Sequence, residues 1–158
     1  MKVTLILVGR NKESWIETGL KDYKKRIKRY LPFDVIEVPT VKGSGKMTKN
    51  EIKEKEGKEI LNNIRSNSYV VLLDENGKEY TSEEFAEWLQ GAMNRSIQYL
   101  VFIIGGAYGF SDEIKNRANR KLSLSKMTFS HQIVRLVFGE QLYRALTIIK
   151  GEPYHHGN

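Results

Sequence analysis

With 158 residues, 40% hydrophobic and 28% charged, three prolines and no cysteine, the chain is expected to fold as one domain over 1–158 and not to remain disordered. The missing cysteines exclude disulfides, thiolate nucleophiles and Cys-based zinc sites, and the longest apolar run, Tyr99 to Ile104, is far too short to span a membrane. A net charge of +7 favours a polyanionic partner, and the N-terminal run lacks a signal peptide's cleavage site, so a cytoplasmic protein without a structural metal is the simplest expectation.

Lys2 to Val8, a run rich in β-branched residues and leucine, reads as a strand covered on both faces. Ile16, Leu20, Tyr23, Ile27 and Tyr30 then recur at helical spacing. The other face of that helix carries six Lys or Arg among the nine residues from Lys21 to Arg29, a polyanion-binding face or a solvated one. Phe33 to Val38 reads as a second strand. A basic, glycine-containing loop from Val41 to Met47 ends at Thr48, which with Glu51 carries the capping-box signature of a second helix. Its inner face is Ile52, Ile60, Leu61 and Ile64. Tyr69 to Leu73 reads as a third strand, closed by a turn at Asp74-Glu75-Asn76-Gly77. Thr81 and Glu84 repeat the capping signature ahead of a helix that turns Phe85, Trp88, Leu89 and Met93 inward. Tyr99 to Ile104 is a fourth strand, followed by a glycine loop and a short helix from about Ser111. Leu122 to Met127 is expected as a fifth strand and Ile133 to Ile149 as a long final helix. From Lys115 to Lys150, eight basic residues face the single acid Glu140, a second basic field suited to nucleic acid.

Strands alternating with helices imply an α/β fold, a mostly parallel sheet with helices on both faces. Ligands of such folds sit at the carboxyl ends of the strands, where three loops lie: after Leu73, after Ile104 and after Leu122–Met127. Three glycines in Gly105-Gly106-Ala107-Tyr108-Gly109 allow positive φ and close backbone approach. That is either a cradle for a nucleotide-like cofactor or a plain tight turn. No phosphate-binding P-loop follows, and the loop lies too late in the chain for a dinucleotide fingerprint. The stretch Ser123 to Arg135 runs from small hydroxyls into His131 and Arg135, four residues apart; a helix starting near Ser130 puts both side chains on one face. His131 is a candidate base, ligand or RNA contact, or a structural hydrogen-bonder. Arg135 and Arg144 are candidates for phosphate or base contacts, or ordinary exposed arginines. The tail from Gly151 to His156 offers an aromatic to a base or simply frays, and His155 with His156 is too little for a metal site.

Several segments, in this order, carry a resemblance over the whole chain: Leu73-Asp74-x-x-Gly77-Lys78, Ile104-Gly105-Gly106-x-x-Gly109, Leu122 to Phe129 followed by His131, Glu140-Gln141-Leu142-Tyr143-Arg144-Ala145 and Pro153-Tyr154-His155. They resemble the ribosomal large-subunit methyltransferase H family of the SPOUT superfamily. The resemblance implies an α/β sheet with a C-terminal trefoil knot, a homodimer, and methylation of N3 of a pseudouridine in 23S rRNA of the assembled 70S ribosome by S-adenosylmethionine, with no metal. The cofactor contacts it implies are Leu73, Gly105, Leu124, Ser125, Lys126, Met127, Thr128 and Phe129. His131 is then expected to assist loss of the N3 proton or to fix the base, and Arg135 or Arg144 to stabilise the developing anion. Tyr154 and His155 are expected to reach the target from the neighbouring subunit. Ser130 stands where the family usually has Pro, and Gly139 where it usually has a larger residue. A basic, non-catalytic RNA-binding module docking on ribosomes is the competing reading; it explains the charge but not the glycine and Ser/Thr loops.

Overall fold

A computed structural model describes residues 1–157, with the backbone alone described at Ser44. Five strands, β1 (Lys2–Val8), β2 (Phe33–Val38), β3 (Tyr69–Glu79), β4 (Tyr99–Ile104) and β5 (Arg120–Ser123), form one sheet in the order β2-β1-β4-β3-β5. Every neighbouring pair is parallel. Among the described residues four α-helices intervene, α1 (Ser14–Ile27), α2 (Lys49–Leu61), α3 (Ser82–Asn94) and α4 (Asp112–Arg117), and a fifth, α5 (Ile133–Ile149), follows β5.

The continuous apolar strands follow from burial on both faces. Leu5, Leu7, Phe102 and Ile104 point to one side, where Leu20 of α1, Leu89 of α3 and Phe138 and Leu142 of α5 meet them. Ile6, Val8, Val101 and Ile103 point to the other, under Ile60 of α2 and Ile114 of α4. Phe102 and Phe138 pack with ring centroids 4.7 Å apart. The first face is closed tightly because α5 presents Gly139 to α1. A Cβ there would come within 3.1 Å of Leu20, so the glycine trades helix propensity for closer approach.

Two strand boundaries differ from expectation. β3 does not stop at Leu73: it bulges between Leu73 and Lys78 and resumes, so that Leu122 pairs with both residues. Asp74 accepts from the amide of Asn76 at 2.9 Å within the bulge, and a Cβ on Gly77 would lie 2.7 Å from the main-chain nitrogen of Leu122. Asn-Gly is thus a kink inside a strand and not its end. β5 is shifted toward the N-terminus, Arg120–Ser123 in place of Leu122 to Met127. Ser123 donates its hydroxyl to the carbonyl of Ser125, and Ser125 accepts from the amide of Met127, both at 2.9 Å, which turns the chain away from the ladder. The capping box at Thr81 and Glu84 is complete, whereas at Thr48 the hydroxyl alone accepts, from the amide of Glu51. No helix among the described residues is long and apolar enough to cross a membrane.

Candidate functional site

Because β4, β3 and β5 are adjacent and parallel, their C-terminal ends open on one edge within two strand spacings, roughly 10 Å. The bulge of β3 and the loops that leave β4 and β5 enclose a hollow of about 340 Å³. Its walls are Leu73, Asp74 and Glu75 at the bulge of β3, Ile104 to Phe110 at and after the end of β4, and Leu124, Ser125, Met127, Thr128 and Phe129 after β5, closed by His131 from the turn before α5 and Val134 from its first turn. Of the eight residues expected to hold a cofactor, Lys126 alone is missing from this lining; its ammonium lies 3.9 Å from Glu79 on a neighbouring groove. Thr128 donates its hydroxyl to Glu75, tying the third loop to the bulge of β3.

The glycine loop rests on a group to which the sequence assigns no role. Glu56 of α2 is 7% exposed, and a Cβ on Gly106 would come within 2.9 Å of its Oε1. Burial pushes its carboxyl above the usual carboxylate range. On the page of the sequence it is one of many surface-like acids of α2; only the missing Cβ at Gly106 gives it away.

His131 lines the hollow, and burial, then the charges of Arg135 and Lys12, hold its imidazole below the usual range near 6.5. Arg135 does not join it in the hollow. The guanidinium is fully buried and turned into the protein, donating to the carbonyls of Val8 (2.6 Å), Gly9 (2.9 Å) and His131 (3.1 Å) and to Asn11 (3.1 Å). The shared-face expectation fails because α5 begins at Ile133, so His131 lies in the turn before it. Ser130 caps that turn by accepting from the amide of Ile133 at 3.1 Å.

Arg144, Tyr154 and His155 meet elsewhere. Arg144 donates through Nε to Glu140 at 2.9 Å, and Tyr154 donates to the same Glu140 oxygen at 3.1 Å. Burial first, then that carboxylate, pushes the Tyr154 phenol up to about 12. Arg144 Nη1 lies 3.0 Å from His155 Nδ1, and His155 Nε2 lies 2.8 Å from Glu83. An arginine has no acceptor, so Nδ1 must accept and Nε2 must carry the proton donated to Glu83. The tail is therefore latched to α3 and α5, and none of these three residues lines the hollow of its own chain.

The hollow's size suits a small polar ligand with an apolar body. Apolar walls from Leu73, Ile104, Leu122, Leu124 and Val134, glycine backbone without side chains, and the carboxylates Asp74 and Glu75 suit S-adenosylmethionine, an adenosyl group joined to a positively charged sulfonium and an ammonium.

Known proteins resemble the chain over its whole length. The family model described as "Predicted SPOUT methyltransferase" matches residues 1–155. Among curated relatives named Ribosomal RNA large subunit methyltransferase H, that of Christiangramia forsetii is 48% identical and that of Bacteroides thetaiotaomicron 49%, each over 99% of both chains. That of Cytophaga hutchinsonii is 47% identical over 99% of this chain and 100% of its own. With the all-parallel sheet and the full-length match together, the chain belongs to the SPOUT methyltransferase family, in the branch of the large-subunit methyltransferase H proteins.

Proposed function

We propose that the hollow binds S-adenosylmethionine and that the protein methylates N3 of a pseudouridine in 23S rRNA of the assembled 70S ribosome. In this reading it works in the cytoplasm as a homodimer, with the last loops and α5 forming the trefoil knot of the family. The observation that carries it is the convergence of Leu73, Gly105 and the stretch 124–129, far apart in sequence, on one hollow.

Bound there, the sulfonium would supply the methyl group and leave as a neutral thioether. Leu73, Leu124 and the glycine backbone would grip the adenosyl part and keep water out, so that positioning contributes much of the rate. Asp74 and Glu75 would offset the ligand's positive charge. His131, uncharged at neutral pH because its affinity for protons is lowered, would accept the N3 proton or fix the base. Arg144, bonded to side chains rather than to carbonyls, suits the developing anion better than Arg135 does. Tyr154 and His155 would then serve the partner's hollow, since they lie outside their own.

The decisive experiment incubates ribosomes lacking the modification with protein and S-adenosylmethionine and maps the product by mass spectrometry. A methyl group on N3 of one pseudouridine is expected. RNA binding without uptake of S-adenosylmethionine in a parallel titration would favour the non-catalytic module. Single-turnover rates add the role of His131: the acid limb should lie below pH 6.5, where the imidazole takes up its proton, and should disappear in His131→Ala. An unchanged rate and pH profile in that variant removes His131 from the mechanism.

A further inference from the structure

Four large hydrophobic side chains are conspicuously exposed among the described residues, and three of them, Tyr108 (46%), Met127 (78%) and Phe129 (37%), stand on the rim of the same hollow. Met127 and Phe129 belong to the loop assigned above to the cofactor. Tyr108 has no such employment. It sits at the tip of a tight turn in which Gly109, at φ +84°, donates its amide to the carbonyl of Gly106 at 3.2 Å. The turn leaves the ring about half exposed at the mouth of the hollow.

The surroundings of that ring are basic on one side. Lys49, the first residue of α2, places its Nζ 5.6 Å from the ring centroid, and Lys53 follows one turn later. Lys53 and Lys115 line the hollow beside Tyr108. Among the described residues none of these three lysines is held in an ion pair. The acids of the hollow, Asp74 and Glu75, come from the β3 wall; Glu54, Asp112 and Glu113 face an adjoining groove that Lys53 also borders.

A flat exposed ring, backed by a cation and flanked by unpaired lysines, is what an unpaired nucleobase and its phosphates require. We propose that Tyr108, braced by Lys49, is a stacking platform for a nucleobase of the RNA at the mouth of the hollow, with Lys53 and Lys115 taking the adjacent phosphates. The inference rests on the reading that the hollow acts on RNA, and it gives that reading a gripping residue. A base must leave its stack before its ring nitrogen can be modified, and a ring waiting at the mouth offsets the lost stacking.

The test compares Tyr108→Ala and Tyr108→Phe with the natural protein in three measurements: RNA affinity on ribosomes lacking the modification, S-adenosylmethionine affinity by calorimetry, and molecular mass in solution. The alanine variant should lose about ten-fold in RNA affinity, the phenylalanine variant less than about two-fold, with cofactor affinity and mass unchanged in both. Lys53→Gln should flatten the salt dependence of RNA binding without abolishing it. Full RNA affinity in Tyr108→Ala overturns the platform. So does an equal loss of cofactor affinity, which would make the ring a cofactor wall, or a change of mass, which would make it a subunit contact. If the natural protein takes up no S-adenosylmethionine, the parent reading fails, while the RNA affinities still judge Tyr108 on their own.

Discussion

The two arginines of α5 look alike in the sequence and live differently in the fold. Arg135, at the start of the helix, is fully buried with its donors spent on the main-chain carbonyls at the end of β1. Arg144, nine residues later, is a quarter exposed and shares Glu140 with Tyr154 and an imidazole with Glu83. Carbonyls at a strand end are fixed, so the first arginine is a permanent tie. A carboxylate and an imidazole are partners that an RNA phosphate can replace, so under the function proposed above the second would be the exchangeable contact.

Substitutions can break that contrast or sharpen it. Arg135→Ala strands two carbonyls in the interior and should cost about 3 kcal/mol or more in urea unfolding. Arg135→Lys should not restore it, because one ammonium cannot replace the planar fork. A loss below about 1 kcal/mol would remove the anchor role. Ser130→Ala deletes the cap on the turn that leads to Arg135, and a loss of about 1 kcal/mol is expected. Arg144→Ala should change stability least, by under about 1 kcal/mol, since the pair with Glu140 is partly exposed and helical neighbours at this spacing contribute little. It should nevertheless speed amide exchange in residues 154 and 155 and depress methylation. Equal stability losses at both arginines would erase the distinction.

Much of the scaffold was legible without coordinates. β1, β2, β4 and α5 have the boundaries that the apolar runs predict; β1 and β4 are buried almost throughout, β2 at its ends Phe33 and Val38, and α5 along one face. β3 and β5 were misjudged where the reason lies across the sheet: Gly77 is a kink only because the backbone at Leu122 passes against it. Arg135 was unreadable for a similar cause. A charge reads as exposure, and its partners at Val8 and Gly9 are 127 and 126 residues away. The loops of the hollow were each visible, but their meeting depends on β4, β3 and β5 being neighbours, which periodicity does not encode. Glu56 and Tyr108 have no role that the sequence assigns; one is known by the side chain its neighbour lacks, the other by standing in water.

The tie from Arg135 to the end of β1 also sets an order of events. The third wall of the hollow and its closure come from residues 124–134, and that stretch is fastened to the end of β1 by Arg135 and to the loop beyond it by Gln132, which pairs with Arg10 and Lys12. Bridging so long a span makes this contact entropically late. During synthesis the chain would already hold most of its sheet while still unable to take up a small molecule, and the capacity to bind would arrive with the last helix.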